Sequence, residues 1–271
     1  MIRISVTSKL DGVRSWSLVA RETCPGAIGA DGSLVPACAG CYAVGGNYRY
    51  PNVKNPRMEN REDWKRPEWV ADMVAELRND RFFRWFDSGD MYAIGLAEKI
   101  FEVMQATPHV QHWLPTRMHK FAKFADVLAR MQALPNVMVR PSSDSVTGEY
   151  VAGVHGSTIA PSIDAIPQGA TLCHAANNDG KCGACRKCYD KSVAVVAYVA
   201  HGRSMAKVVR EQMAACQFLC ATFRGGETLP IFFSRAVQPR HRWSNPVAES
   251  RSRFAESPRG ARSELLRRLF R

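Results

Sequence analysis

The sequence lacks any apolar run able to cross a membrane. Its most apolar later segment, VAVVAYVA (Val193 to Ala200), is far too short. The opening, MIRISVTSKLDGVRSWSLVA, holds no stretch of signal-peptide length, so the expectation is a soluble, cytoplasmic protein with no membrane partner. There is no internal repeat, no low-complexity segment before the last thirty or so residues, and no convincing Ser/His/Asp triad. Histidine is also scarce near the first cysteines: the closest in sequence are His109, His112 and His119. That scarcity bears on which metal those cysteines suit.

What remains is a chain able to fold around one sizeable core, with 271 residues, 46% hydrophobic and 9% aromatic. The net charge is +12 and is unevenly spread. Residues 240–271 carry nine Arg and three Glu, +9 − 3 = +6, half of the total. This Ser/Pro/Arg-rich stretch reads as a basic, disordered tail over 239–271, following a folded domain over 1–238. Such a tail suits contact with nucleic acid through phosphates, or serves solubility alone.

Nine cysteines in a cytoplasmic protein argue against a disulfide framework. Cys24, Cys38 and Cys41 form one group, and Cys173, Cys182, Cys185 and Cys188 a second. Cys216 and Cys220 stand four apart on the apolar stripe of an expected helix, GRSMAKVVREQMAACQFLCATF, and read as core residues.

Between the two groups the pattern is regular. SWSLVA is an expected strand, followed by the first cysteine loop and a polar stretch containing Pro51, Pro56 and Pro67. PEWVADMVAELRND reads as a helix with Pro67 in its first turn. Then RFFRWF, VQHWLP and NVMVR read as strands, separated by the helices MYAIGLAEKIFEVMQATP and KFAKFADVLARMQALP. Strands alternating with helices over short connections predict a parallel sheet covered by helices. EYVAGVHGSTIAP and SVAVVAYVA are candidates for further strands around the second cysteine group. The expected strand ends read RETC, DSGD, TRMHK and SSDSV, polar and charged, as at an active-site rim.

Three cysteines leave a structural zinc site incomplete. They suit a four-iron cluster with one iron left open for a substrate or cofactor. Through SKL, SWSL, TCPGA, CAGCYA and DSGD, roughly residues 5–235 resemble the radical S-adenosylmethionine (SAM) enzymes, and within them the phage gene product 88 family. The spacing here is C-x13-C-x2-C, longer than the usual C-x3-C-x2-C, and Tyr42 follows the third cysteine where the usual aromatic precedes it.

The resemblance implies an α/β fold, a partial (β/α)6 TIM-like barrel with parallel strands, interrupted by a Cys-rich insertion at about 168–192. It implies that Cys24, Cys38 and Cys41 hold an open [4Fe-4S] cluster on which SAM binds. Ser88, Gly89 and Asp90 would meet the SAM amino group, Arg117 its carboxylate, and Ser142, Ser143 and Asp144 the ribose hydroxyls or the carboxylate. The implied activity is reductive cleavage of SAM to a 5′-deoxyadenosyl radical that takes hydrogen from an unknown substrate, with an electron donor as partner. Blander readings stand beside these: SGD as a turn, Arg117 as a surface charge, SSDS as a helix cap. A second Gly-Gly-Glu string at Gly225 to Glu227 falls too late in the chain for a SAM motif and reads as a turn.

The second group, LCHAANNDGKCGACRKCYD, has the spacing C-x8-C-x2-C-x2-C, the most specific signal in the chain. The tight run suits a second, closed [4Fe-4S] cluster, whereas zinc more often takes two separated C-x2-C pairs. Lys181, Arg186 and Lys187 would offset the negative charge of either. The competing reading of the whole chain is a non-enzymatic zinc protein that binds nucleic acid through its basic surface. It leaves the three-cysteine loop unexplained.

Overall fold

The computed structural model describes residues 2–222. The tail, the 238/239 boundary and the string at Gly225 to Glu227 lie outside the described residues, as do the side chains of Cys216 and Cys220. The architecture is mixed α/β, with two sheets and six α-helices. A five-stranded sheet runs β1 (Ile4–Val6), β2 (Arg14–Trp16), β3 (Phe82–Trp85), β4 (Gln111–Thr116), β5 (Val137–Pro141). β1 pairs antiparallel with β2, and the remaining pairs are parallel. A second, parallel sheet has the order β6 (Gly156–Ala160), β8 (Val195–Val199), β7 (Thr171–Leu172). One bridge joins the two sheets: Ser142 pairs with Ser157, and the Ser143 N–H donates to the Ser157 carbonyl at 2.9 Å.

The strand positions follow from alternation. On β3, Phe83 and Trp85 enter the core while Phe82 and Arg84 point the other way; on β4, Leu114 enters it and Trp113 and Pro115 do not. The core lies between this face and the helices α3 (Trp69–Leu77), α4 (Ile94–Ala106) and α5 (Ala125–Ala133). Trp16 anchors it, edge-on to Trp69 at 5.3 Å and to Trp85 at 6.2 Å between ring centroids. Such aromatic pairs add about 1 kcal/mol each beyond burial.

Among the described residues the strands form two open sheets joined through the Ser142–Ser157 bridge, and no closed barrel. The polar stretch after the first cysteine loop contains helix α2 (Pro51–Asp63). Pro51 starts it, where a missing N–H costs nothing, and Pro56 lies inside it. What holds α2 is tertiary: Arg57 and Asn60 are buried, and Asn60 donates to the carbonyls of Arg3 and Ser17 at 2.9 and 3.0 Å.

Candidate functional site

The first cysteine loop follows β2, at the carboxyl ends of the parallel strands. Its long insertion folds back on itself. Ile28 bridges Leu34, Gly29 N–H donates to Ser33 O at 2.8 Å, and Val35 N–H donates to Ala27 O at 2.9 Å. This hairpin returns the chain to α1 (Pro36–Ala39), which carries Cys38, and Cys41 N–H donates to Cys38 O. The three cysteines thereby come into electrostatic range of one another. Burial pushes the Cys24 thiol up to about 12, and negative charge on Asp90, Cys38 and Cys41 adds to the rise. Burial also raises Cys38, with Arg117 opposing. Two glycines allow this packing: a Cβ on Gly26 would lie 2.5 Å from Arg117 Cβ, and one on Gly40 2.9 Å from the Met205 backbone.

The Ser88–Asp90 turn is tied down on every side. Ser88 Oγ donates to Leu18 O at 2.7 Å and accepts from Arg57 Nε at 2.9 Å. Gly89 has φ +78°, and a Cβ there would meet Leu18 Cβ at 2.6 Å and Thr23 Oγ1 at 2.7 Å, so only glycine fits. Asp90 is buried; its Oδ1 accepts from Thr116 Oγ1 and Met91 N–H, and its Oδ2 from Arg117 N–H, each at 2.8 Å. Burial raises its pKa, and those hydrogen bonds oppose the rise. These contacts make Ser88, Gly89 and Asp90 a clasp that joins the ends of β2, β3 and β4. Just before the turn, Phe86 has φ +57°, a strained backbone for a bulky residue.

Arg117 follows β4, and Ser142, Ser143 and Asp144 follow β5. Arg117 donates to Ser143 O at 2.7 Å and to Asp144 Oδ1 at 3.2 Å, while Lys120 Nζ meets Asp144 Oδ2 at 2.7 Å. The Asp144 carbonyl accepts from Ala37 N–H, docking the helix that carries Cys38.

Below these strand ends lies a cavity of about 880 Å³ on the sheet face turned away from α3, α4 and α5. Arg117, Ser142 and Ser143 line it, whereas Ser88, Gly89, Asp90 and Asp144 do not. Cys173, Cys182 and Cys188 of the second group line it, whereas Cys185 and the first-group Cys24, Cys38 and Cys41 do not. The two groups sit toward opposite ends of β3 and β4. Cys38 lies near Arg117 after β4, while Tyr189 of the Cys-rich segment stacks edge-on against Phe82 and Trp113 at 5.2 and 5.8 Å.

The Cys-rich segment is held by groups that sequence reasoning missed. Arg140 on β5 is fully buried, and its guanidinium donates to the carbonyls of Cys188, Lys187, Asp190, Val193, Gly156 and Ala194. Cys182 N–H donates to Lys9 O at 2.7 Å, and Cys173 N–H to Ala197 O at 2.8 Å. The Cys188 thiol meets the Tyr198 hydroxyl at 3.5 Å. Burial raises Cys182 and Cys188, and the charges of Lys9 and of Arg140 and Arg84 respectively oppose it. Arg57 and Asp87 were also missed; their only sequence signal was an acidic DSGD string with an unassigned cationic partner.

Seven cysteines are free thiols. Among the described residues, no three His, Cys, Asp or Glu side chains converge as they stand into a metal-ion site. The donor set nevertheless suits iron–sulfur chemistry. It is all sulfur, in threes and fours, and burial makes Cys24 and Cys38 disfavour ionisation until a cation compensates them.

No curated protein and no solved structure matches the chain. The family model described as gene product 88 matches residues 5–218, most of the chain. With its three-cysteine loop and DSGD clasp both inside that span, the chain belongs to the gene product 88 family.

Proposed function

We propose that the protein is an iron–sulfur enzyme of the radical SAM kind, acting in the cytoplasm. The observation that carries this reading is the position of Cys24, Cys38 and Cys41. They share one loop at the carboxyl ends of parallel strands; the neighbouring Gly40 and Tyr42, though not the three cysteines themselves, line a cavity of small-molecule size. The chain-order run of β2 to β5, continued across the Ser142–Ser157 bridge, supports reading the sheets as the arc of a partial (β/α)6 barrel.

In this reading Cys24, Cys38 and Cys41 would hold an open [4Fe-4S] cluster, and Cys173, Cys182, Cys185 and Cys188 a second cluster or zinc. The open cluster, when bound, would supply one-electron reductive cleavage of SAM to methionine and a 5′-deoxyadenosyl radical, with the electron from an external donor. The chain's own part is positional. Arg117, Ser142 and Ser143 line the cavity; the Arg117 guanidinium, paired here with Asp144 and the Ser143 carbonyl, would turn to a SAM carboxylate, and the serines would meet the ribose. Asp90, whose two oxygens are engaged internally, fixes the Arg117 backbone.

The test is the iron, sulfide and zinc content of protein purified without oxygen, with EPR spectra before and after SAM. About eight iron per chain, as two cubanes require, and a spectrum altered by SAM support the reading. About one zinc with no sulfide and no response to SAM overturns it in favour of a zinc protein that binds nucleic acid.

A further inference from the structure

We propose that the cavity binds a small oxyanion, carboxylate or phosphate, and that Arg84 grips the anionic group. The inference does not depend on which metal the cysteines hold.

Five cations line the cavity, Arg3, Lys9, Arg57, Arg84 and Arg117, against a single acid, Asp87. Three of the five are matched. Arg3 pairs with Glu59, Arg57 with Asp87 and Arg117 with Asp144. Asp87 is consumed in this way, since Arg57 holds both its oxygens and Tyr48 donates to one of them. Among the described residues no carboxylate lies within ion-pair distance of Lys9 or Arg84.

Arg84 is the better placed of the two. It stands mid-strand on β3, between the two cysteine groups, with its guanidinium carbon 4.7 Å from the centre of the Trp113 ring. The Tyr42 side chain hydrogen-bonds the group and the Asp87 charge acts on it at longer range, which leaves part of the guanidinium for an oxyanion. Its Nε is buried and has no hydrogen-bond partner. A buried donor left unmet costs free energy, which a bound oxyanion would recover. Lys9, over the Tyr198 ring at 5.5 Å, adds a second positive charge to the same wall. At about 880 Å³ the cavity falls within the range of small-molecule sites.

Arg84 and Lys9 also act at longer range on Cys188 and Cys182, so the experiment must separate an anion site from charge balance at the thiolates. Full-length protein, purified without oxygen, is treated with phenylglyoxal, and Arg84 labelling is read by peptide mass spectrometry. Pyrophosphate or citrate is expected to protect Arg84, where sodium chloride of equal ionic strength does not; which of the two protects identifies phosphate or carboxylate. By calorimetry, Arg84→Gln is expected to weaken the protecting anion about tenfold or more, with metal content unchanged. Arg84→Lys, which keeps the charge, loses less and guards against a folding defect. Protection by neither anion, equal protection by chloride, or metal loss from Arg84→Gln with unchanged anion affinity overturns the proposal.

Discussion

Arg57 and Asp87 meet at 2.7 Å, with their side chains only 9% and 10% exposed. The same guanidinium reaches Ser88 Oγ at 2.9 Å and Val53 O at 2.6 Å, so one α2 residue holds the strand-end turn from behind. Removing one partner leaves the other charge buried and uncompensated, at a cost of about 3–5 kcal/mol. Asp87→Asn or Arg57→Gln is therefore expected to lower the melting temperature by about 6 °C or more. The double variant Arg57→Gln with Asp87→Asn should cost less than the sum of those singles. A strictly additive double-mutant cycle would contradict this coupling.

Gly89 and Gly169 offer a controlled comparison. Both have positive φ, +78° and +82°, but only Gly89 has atoms where a Cβ would stand. Gly169→Ala should carry the conformational penalty alone, about 1 kcal/mol. Gly89→Ala should exceed it by about 2 kcal/mol or more, since Leu18 and Thr23 must move. Equal losses in a denaturant titration would show that the clasp gives way freely.

Arg140→Ala should loosen the Cys-rich segment and spare the core. Six carbonyls lose their donor, those of Gly156, Lys187, Cys188, Asp190, Val193 and Ala194. Hydrogen exchange is expected to quicken across residues 182–195, while the amides of β3 and β4 remain protected. Uniform acceleration through both sheets would make Arg140 a global support.

His112 predicts acid sensitivity. Its Nδ1 accepts from Trp85 Nε1 at 3.3 Å and its Nε2 faces Thr107 Oγ1 at 2.9 Å; Thr107 donates its own proton to Val103 O, so the ring is neutral with the hydrogen on Nε2. Burial lowers its pKa from 6.5 to about 3. Because the unfolded chain takes up this proton first, the stability it contributes is full above pH 6.5 and is lost as the pH falls toward 3. In His112→Gln that slope should flatten in urea titrations across this range; an unchanged slope would assign acid sensitivity elsewhere.

The central strands and helices were legible because short apolar runs alternate along the chain with helical stretches that have clear stops, as at Pro108. α2 was not: it is polar, carries Pro56 inside, and exists because Arg57 and Asn60 find buried partners far away in sequence. β1, three residues long, gave no pattern to read. The cysteines stood out by spacing alone, yet the groups organising them did not. Arg140 looks like the polar end of a strand, and Arg84 like one more surface charge on RFFRWF. Their importance comes from what faces them, which depends on how the sheets are arranged.

The hydrogen bond from Cys182 N–H to Lys9 O joins the first turn of the chain to a segment made much later. Leu10, Val13 and Trp113 share an apolar cluster with Tyr189 across the same junction. Contacts this distant in sequence form late and slow a chain's folding. During synthesis the amino-terminal turn and the cavity side of β3 and β4 must wait, uncovered, until the Cys-rich segment leaves the ribosome. If the second cysteine group holds a metal as proposed, its delivery would fall at the step that shuts the cavity, and a chain short of metal would stay open and prone to aggregate.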